Sequence, residues 1–125
     1  MTLRSIPLLV GLALVATPAF AARTKQPKPT PPVTVESLLA QAHAAIGKGD
    51  RELAVRLAQS AIVADPARPS SYVVLGDIYA DAGEPDYARS FYDAALDIDP
   101  SDPNALKAVV ELDRTHPETT ANAAK

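Results

Sequence analysis

Three side chains that could act together stand at equal intervals along the chain: His43, Asp77 and Glu111, each 34 positions after the one before. An imidazole and two carboxylates are the raw material of a metal site. The elements that carry them argue against it. Each lies in a stretch of helical period, and helices pack about 8–10 Å apart, which does not bring three such side chains around one ion. We therefore expect no metal and no cofactor. The run Asp97 to Asp102, D-I-D-P-S-D, opens like a calcium loop. It has Asp102 where that loop requires glycine and Ala108 where it requires the closing glutamate, so a turn between helices explains it better. Ser37, Ser60, Ser70, Ser71, Ser90 and Ser101 have neither a G-x-S-x-G frame nor a histidine partner, and no glycine-rich phosphate loop occurs. His116 precedes a proline at a helix end and reads as a cap. An enzyme is not expected.

The totals narrow the classes further. The 125 residues include no cysteine, which removes disulfides, thiolate metal sites and a lipid-acceptor thiol. Charge is divided unevenly. Ala22 to Thr34 carries Arg23, Lys25 and Lys28 with no acid, whereas Val35 to Glu118 carries fifteen acids against seven bases. A body that acidic is repelled by phosphate backbones, so nucleic acid is not an expected partner, and basic or neutral proteins are favoured.

The order of segments is clear from composition. Residues 1–21 have the form of a secretory signal peptide: Arg4, an apolar run from Ile6 to Ala16, and Ala19-Phe20-Ala21 before the cut. That apolar run is shorter than the roughly 20 residues that span a bilayer. The mature chain is expected to be exported, periplasmic in a Gram-negative cell and secreted otherwise, with no stable membrane insertion. Residues 22–34 hold four prolines and almost nothing to bury, the composition of an extended basic linker.

The remainder reads as helices. Thr34 is a plausible N-cap for a helix to Gly47 whose apolar face is Leu38, Leu39, Ala42 and Ile46. Gly49-Asp50 ends that helix and caps the next, Arg51 to Ala64, with Leu53, Ala54, Leu57, Ala58, Ala61 and Ile62 inward. Tyr72, Leu75, Gly76 and Tyr79 form the stripe of a third, and Ala88, Phe91, Tyr92, Ala95 and Leu96 that of a fourth. Asp102-Pro103 opens a fifth with Leu106, Val109, Val110 and Leu112 apolar, ended by His116-Pro117. Residues 118–125 are expected to fray into a disordered tail.

One offset relates these helices. Pro66 and Pro100, Gly49 and Gly83, Ala54 and Ala88, Ala61 and Ala95, Leu38 and Tyr72 are all 34 apart. Composition alone does not align glycine and proline in this way. Tyr72, Leu75, Gly76, Tyr79, Gly83, Ala88, Tyr92, Ala95 and Pro100 resemble the signature of the tetratricopeptide repeat, with tyrosine in place of its tryptophan and phenylalanine. The resemblance implies an all-α fold, a short right-handed solenoid of helical hairpins. One repeat would cover 35–68, a second 69–102, and a capping helix or half repeat 103–117. The first repeat has Gln41, Ala42 and Ala45 where the second has Leu75, Gly76 and Tyr79, so shallower packing is expected there.

The resemblance also implies a function, the holding of another protein. In such repeats the first helix of each pair lines a concave groove. Carried onto this chain, the groove is Leu39, His43 and Ile46, then Val73, Asp77 and Ala80, then Lys107, Glu111 and Arg114. The aliphatic members would form a ledge, Asp77 and Glu111 would accept from a lysine, arginine or amide, and Lys107 with Arg114 would take a carboxylate. The lysine and asparagine with which some relatives clamp a chaperone tail are absent, Leu39 and His43 standing there. The expected work is that of an adaptor for a segment of a cell-envelope protein. The alternative is a structural module that stacks on a second copy or on a larger helical array, as a weak homo-oligomer.

Overall fold

A computed structural model describes residues 32–125. The expected leader over 1–21 and residues 22–31 of the basic linker lie outside the described residues. Among those described there is no strand, and six helices follow in order: α1 Val35–Gly47, α2 Arg51–Ala64, α3 Pro69–Asp81, α4 Pro85–Ile98, α5 Pro103–Thr115 and α6 Pro117–Ala123.

Local chemistry sets each boundary. At the start of α1 the Ser37 N–H donates to Thr34 Oγ1 at 3.2 Å and the Thr34 N–H donates to Ser37 Oγ at 3.1 Å, a reciprocal cap. Asp50 accepts from the Leu53 N–H at 3.0 Å, and Asp102 accepts from the Ala105 N–H at 2.7 Å. Prolines occupy the first turn of α3, α4, α5 and α6, where their missing N–H costs nothing. Between α1 and α2 the chain turns at Gly49, φ 76°, with Gly49 N–H donating to Ile46 O and Asp50 N–H to Ala45 O, both at 2.9 Å. The α3–α4 corner repeats this at Gly83, φ 72°, with donors to Ala80 O at 3.0 Å and Tyr79 O at 2.9 Å. A residue with a Cβ is strained at that φ, so glycine is required at both corners.

The helices pair as α1 with α2 and α3 with α4. The first core cluster is built on small residues, Ala42, Ala45, Ala54, Ala58 and Ala61, with Val35, Leu39, Val74, Leu75 and Ile78. The second gathers Val73, Ala88, Tyr92, Ala95, Ala105 and Leu112. Partly buried Tyr79 touches both, which makes one continuous interior. Gln41 is exposed, its amide donating to Ser37 O at 3.1 Å, so at that position the first pair is closed by the neighbouring alanines rather than by a leucine as in the second.

The sides of the helices differ from the expectation in three places. Leu53, expected inward, is exposed, as is Tyr87 in the matching position of α4. Both lie in the first turn of the second helix of a pair, on its outer edge. Leu106 and Val110, read among the apolar positions of α5, are 44% and 67% exposed, whereas Leu112 is buried. In place of a frayed tail, residues 117–123 form α6. Its hold is specific: Thr119 is buried with its hydroxyl donating to His116 O at 2.8 Å, and the Thr120 hydroxyl donates to Asp113 Oδ1 at 2.8 Å. Asp113 in turn receives the Arg89 guanidinium, tying α4, α5 and α6 together.

One buried group sits ill in this interior. Ser71 is fully buried and its hydroxyl has no hydrogen-bond partner, whereas Ala105, 34 positions later, fills the equivalent place with a bare methyl. Leaving a hydroxyl unpaired in a core costs about 1–3 kcal/mol. Ser71→Ala is therefore expected to stabilise the chain by about 1 kcal/mol, read as a higher urea midpoint at unchanged slope. A lower midpoint would show that the hydroxyl has a partner in solution.

Candidate functional site

The first helices of successive pairs, α1, α3 and α5, share one side of the array, and along them runs a trough of about 830 Å³. Leu39, His43 and Ile46 enter from α1, Val73, Asp77 and Ala80 from α3, Lys107 and Glu111 from α5. Eight of the nine residues assigned from sequence are thus brought together. Arg114 is not among the lining residues. It donates to Glu111 through Nε at 3.1 Å and through Nη2, a bidentate pair within one turn of helix. Thr115 and His116 close the trough at that end instead.

Several lining residues were not anticipated. Ser70 and Val74 join from α3, Asn104, Ala108 and Leu112 from α5, and Asp81 continues the α3 row one turn beyond Asp77. Tyr92 comes from α4, a second helix, and reaches the trough because Gly76 has no side chain to stop it. An ideal Cβ on Gly76 would lie 2.4 Å from Tyr92 Cε1 and 2.6 Å from Cδ1. The same ring passes its hydroxyl to Asp77, donating to Oδ1 at 2.7 Å. A glycine one helical position before a trough-facing aspartate, opposite a tyrosine, is the sequence signal for this crossing.

The floor and rim differ in character. Val73, Val74 and Leu39 are nearly closed to solvent and make an apolar base, while His43, Asp81, Lys107 and Glu111 are exposed along the edges. Burial holds the Asp77 carboxyl above the ordinary aspartate range, an effect that the Tyr92 hydrogen bond partly opposes and the Asp81 charge reinforces. The Tyr92 phenol is raised by its own burial first and by the Asp77 carboxylate second, so it stays a proton donor. Glu111 lies below the usual range, chiefly because Arg114 donates to it. Arg114 pairs with that charge at the exposed rim, whereas Asp77 and Asp81 have no ion-pair partner among the described residues.

His43, Asp77 and Glu111 do share the trough, but among the described residues no group of three His, Asp or Glu side chains is placed to hold a metal ion. The Asp99 carboxylate in the D-I-D-P-S-D run accepts from the Ser101 N–H at 3.0 Å and from its hydroxyl at 2.7 Å, a turn closure. No described helix is long and apolar enough to cross a membrane.

Paired helices with a 34-residue offset, glycine corners and a trough along the first helices are the parts of one known repeat. A family model described as Tetratricopeptide repeat matches residues 39–103, half of the chain. The chain belongs to the tetratricopeptide repeat family. The match runs from α1 to the start of α5 and so takes in both hairpins. No curated protein matches the chain. As a tetratricopeptide repeat protein it is a protein–protein interaction module.

Proposed function

We propose that this chain is an exported adaptor whose trough receives an extended segment of another cell-envelope protein. The observation that carries the reading is the continuous lining of the trough by three successive helices, with an apolar floor and a polar rim. That is the anatomy of a recognition surface, in which apolar contact gives affinity and rim charges fix register. The leader-like composition of residues 1–21 supports export, and the absence of cysteine suits a chain that must not form disulfides in an oxidising compartment.

The test uses a photo-crosslinking residue placed at His43 or at Lys107, both exposed on the rim, with Val63, exposed on α2 and away from the trough, as control. Adducts are expected from the two rim positions and not from Val63. Lys107→Glu with Glu111→Lys, which keeps the charge total, should reduce them about tenfold or more, as expected for rim charges that set register. Equal adducts from Val63, or none from the rim, would remove the reading.

A second reading, self-association, is favoured by Leu106 and Val110. They stand 34 positions after Tyr72 and Gly76, at the sites that α4 covers in the preceding pair. A mass that stays monomeric across a wide concentration range would exclude it.

A further inference from the structure

Beside the trough lies a smaller hollow of about 160 Å³, lined by Ile46 and Gly49 at the end of α1, Arg51 at the start of α2, and Ile78, Asp81 and Ala82 at the end of α3. Ile46 and Asp81 line both, so the two spaces are adjacent. Its volume is that of a cavity able to admit a six-carbon ring. The walls are aliphatic: Ile78 is 2% exposed, Ile46 is partly buried, and Gly49 leaves its side open.

The rim carries two charges of unequal standing. Arg51 donates to Glu84 Oε1 at 2.6 Å and holds its guanidinium 5.2 Å from the centroid of the Tyr79 ring, so its charge is already matched. Asp81 is exposed and, among the described residues, has neither a hydrogen-bond nor an ion-pair partner. Asp77, one turn earlier on the same helix, adds a second negative group on the trough side. The mouth is therefore anionic over an aliphatic throat.

We propose that this hollow anchors a lysine side chain of the segment held in the trough, its methylene stem against Ile46, Ile78 and Ala82 and its ammonium at Asp81. A long aliphatic stem with a charged tip fits an apolar throat with a wet, acidic rim. Leucine would fill the throat and leave Asp81 unmatched. The fork of an arginine is wider than the single ammonium that ends a lysine stem. The assignment rests on the trough reading, and it adds to it one residue type in the partner.

The probe is N-acetyl-lysine N-methylamide, compared with the uncharged N-acetyl-norleucine N-methylamide, each titrated into the isotope-labelled full chain and followed by NMR. The lysine probe should shift the methyl signals of Ile46 and Ile78 and the amides of Asp81 and Ala82. It should saturate at about threefold lower concentration than norleucine, the order of a solvent-accessible ion pair. Asp81→Asn, which changes an exposed group without intramolecular partners, should abolish the difference. Equal binding of both probes by the unaltered chain, or no shift at those four residues, overturns the assignment. The two readings fail separately. Rim adducts without lysine preference here would remove the anchor and keep the trough, whereas lysine selectivity without rim adducts would keep the hollow as a lysine site and remove the trough.

Discussion

Gly76→Leu should lower the melting temperature by more than about 10 °C, the fall expected when a core overpacked by about 2–3 kcal/mol belongs to a domain of this size. The cause is local. Tyr92 Cε1 already lies 2.4 Å from where a first side-chain carbon at position 76 would stand. The ring has little freedom to retreat, being 3% exposed and held at its far end by the hydrogen bond to Asp77. Alanine gains about 1 kcal/mol of helix propensity over glycine, yet it meets the same ring, so Gly76→Ala should still destabilise. Pairing Gly76→Leu with Tyr92→Ala should cost less than the sum of the two single changes, since each removes the reason for the other's penalty. Strict additivity would mean that α3 and α4 do not cross at this point.

Tyr92→Ala should cost about 3–5 kcal/mol, the usual price of deleting a buried aromatic side chain. Tyr92→Phe separates the hydroxyl from the ring. It should cost about 1.5–3 kcal/mol at pH 7, the range for a hydrogen bond to a charged group. Its pH dependence identifies the partner. Burial raises the Asp77 carboxyl in the folded chain, and the Tyr92 hydroxyl opposes that rise by donating to the carboxylate. Removing the donor raises it further, so ionising Asp77 becomes harder in the folded chain than in the unfolded one. A raised carboxyl favours folding while protonated, and that advantage is lost as pH climbs through the folded value. The deficit of Tyr92→Phe should thus be largest at neutral pH and shrink as pH falls toward the ordinary aspartate value of 3.8. Urea titrations of both chains at several pH values would check this, and a deficit constant with pH would detach Tyr92 from Asp77.

Much of this arrangement was legible in the sequence. Glycine at a helix corner and proline after a helix end are positions where backbone geometry leaves few choices, so Gly49 with Gly83 and Pro66 with Pro100 located the hairpins directly. The trough followed because helical period puts Leu39, His43 and Ile46 on one side of α1, and the offset transfers that side to α3 and α5. Other features depend on neighbours rather than on local pattern. Val73, Val74 and Ile78 are buried along with Leu75 because α3 packs against α1, α2, α4 and α5, so no side of it shows a clean polar stripe. Arg114 was assigned to the trough by position, but a carboxylate three residues earlier captures it. Asp81 has no repeat signature to mark it, and its place on both the trough and the hollow follows from how the ends of α1 and α3 come together.

The two glycine corners have a third place in their series. Counting 34 on from Gly83 arrives at Pro117, the first residue of α6. A pyrrolidine ring holds φ near −65° and cannot adopt the left-handed geometry on which the earlier reversals rely. The junction at His116 is built without it, and α6 leaves α5 by a different route. Pro117 thereby breaks the corner geometry of the earlier pairs after α5, the third inner helix among the described residues. A further repeat grafted after Thr115 would propagate the coil only if that proline were first exchanged for glycine.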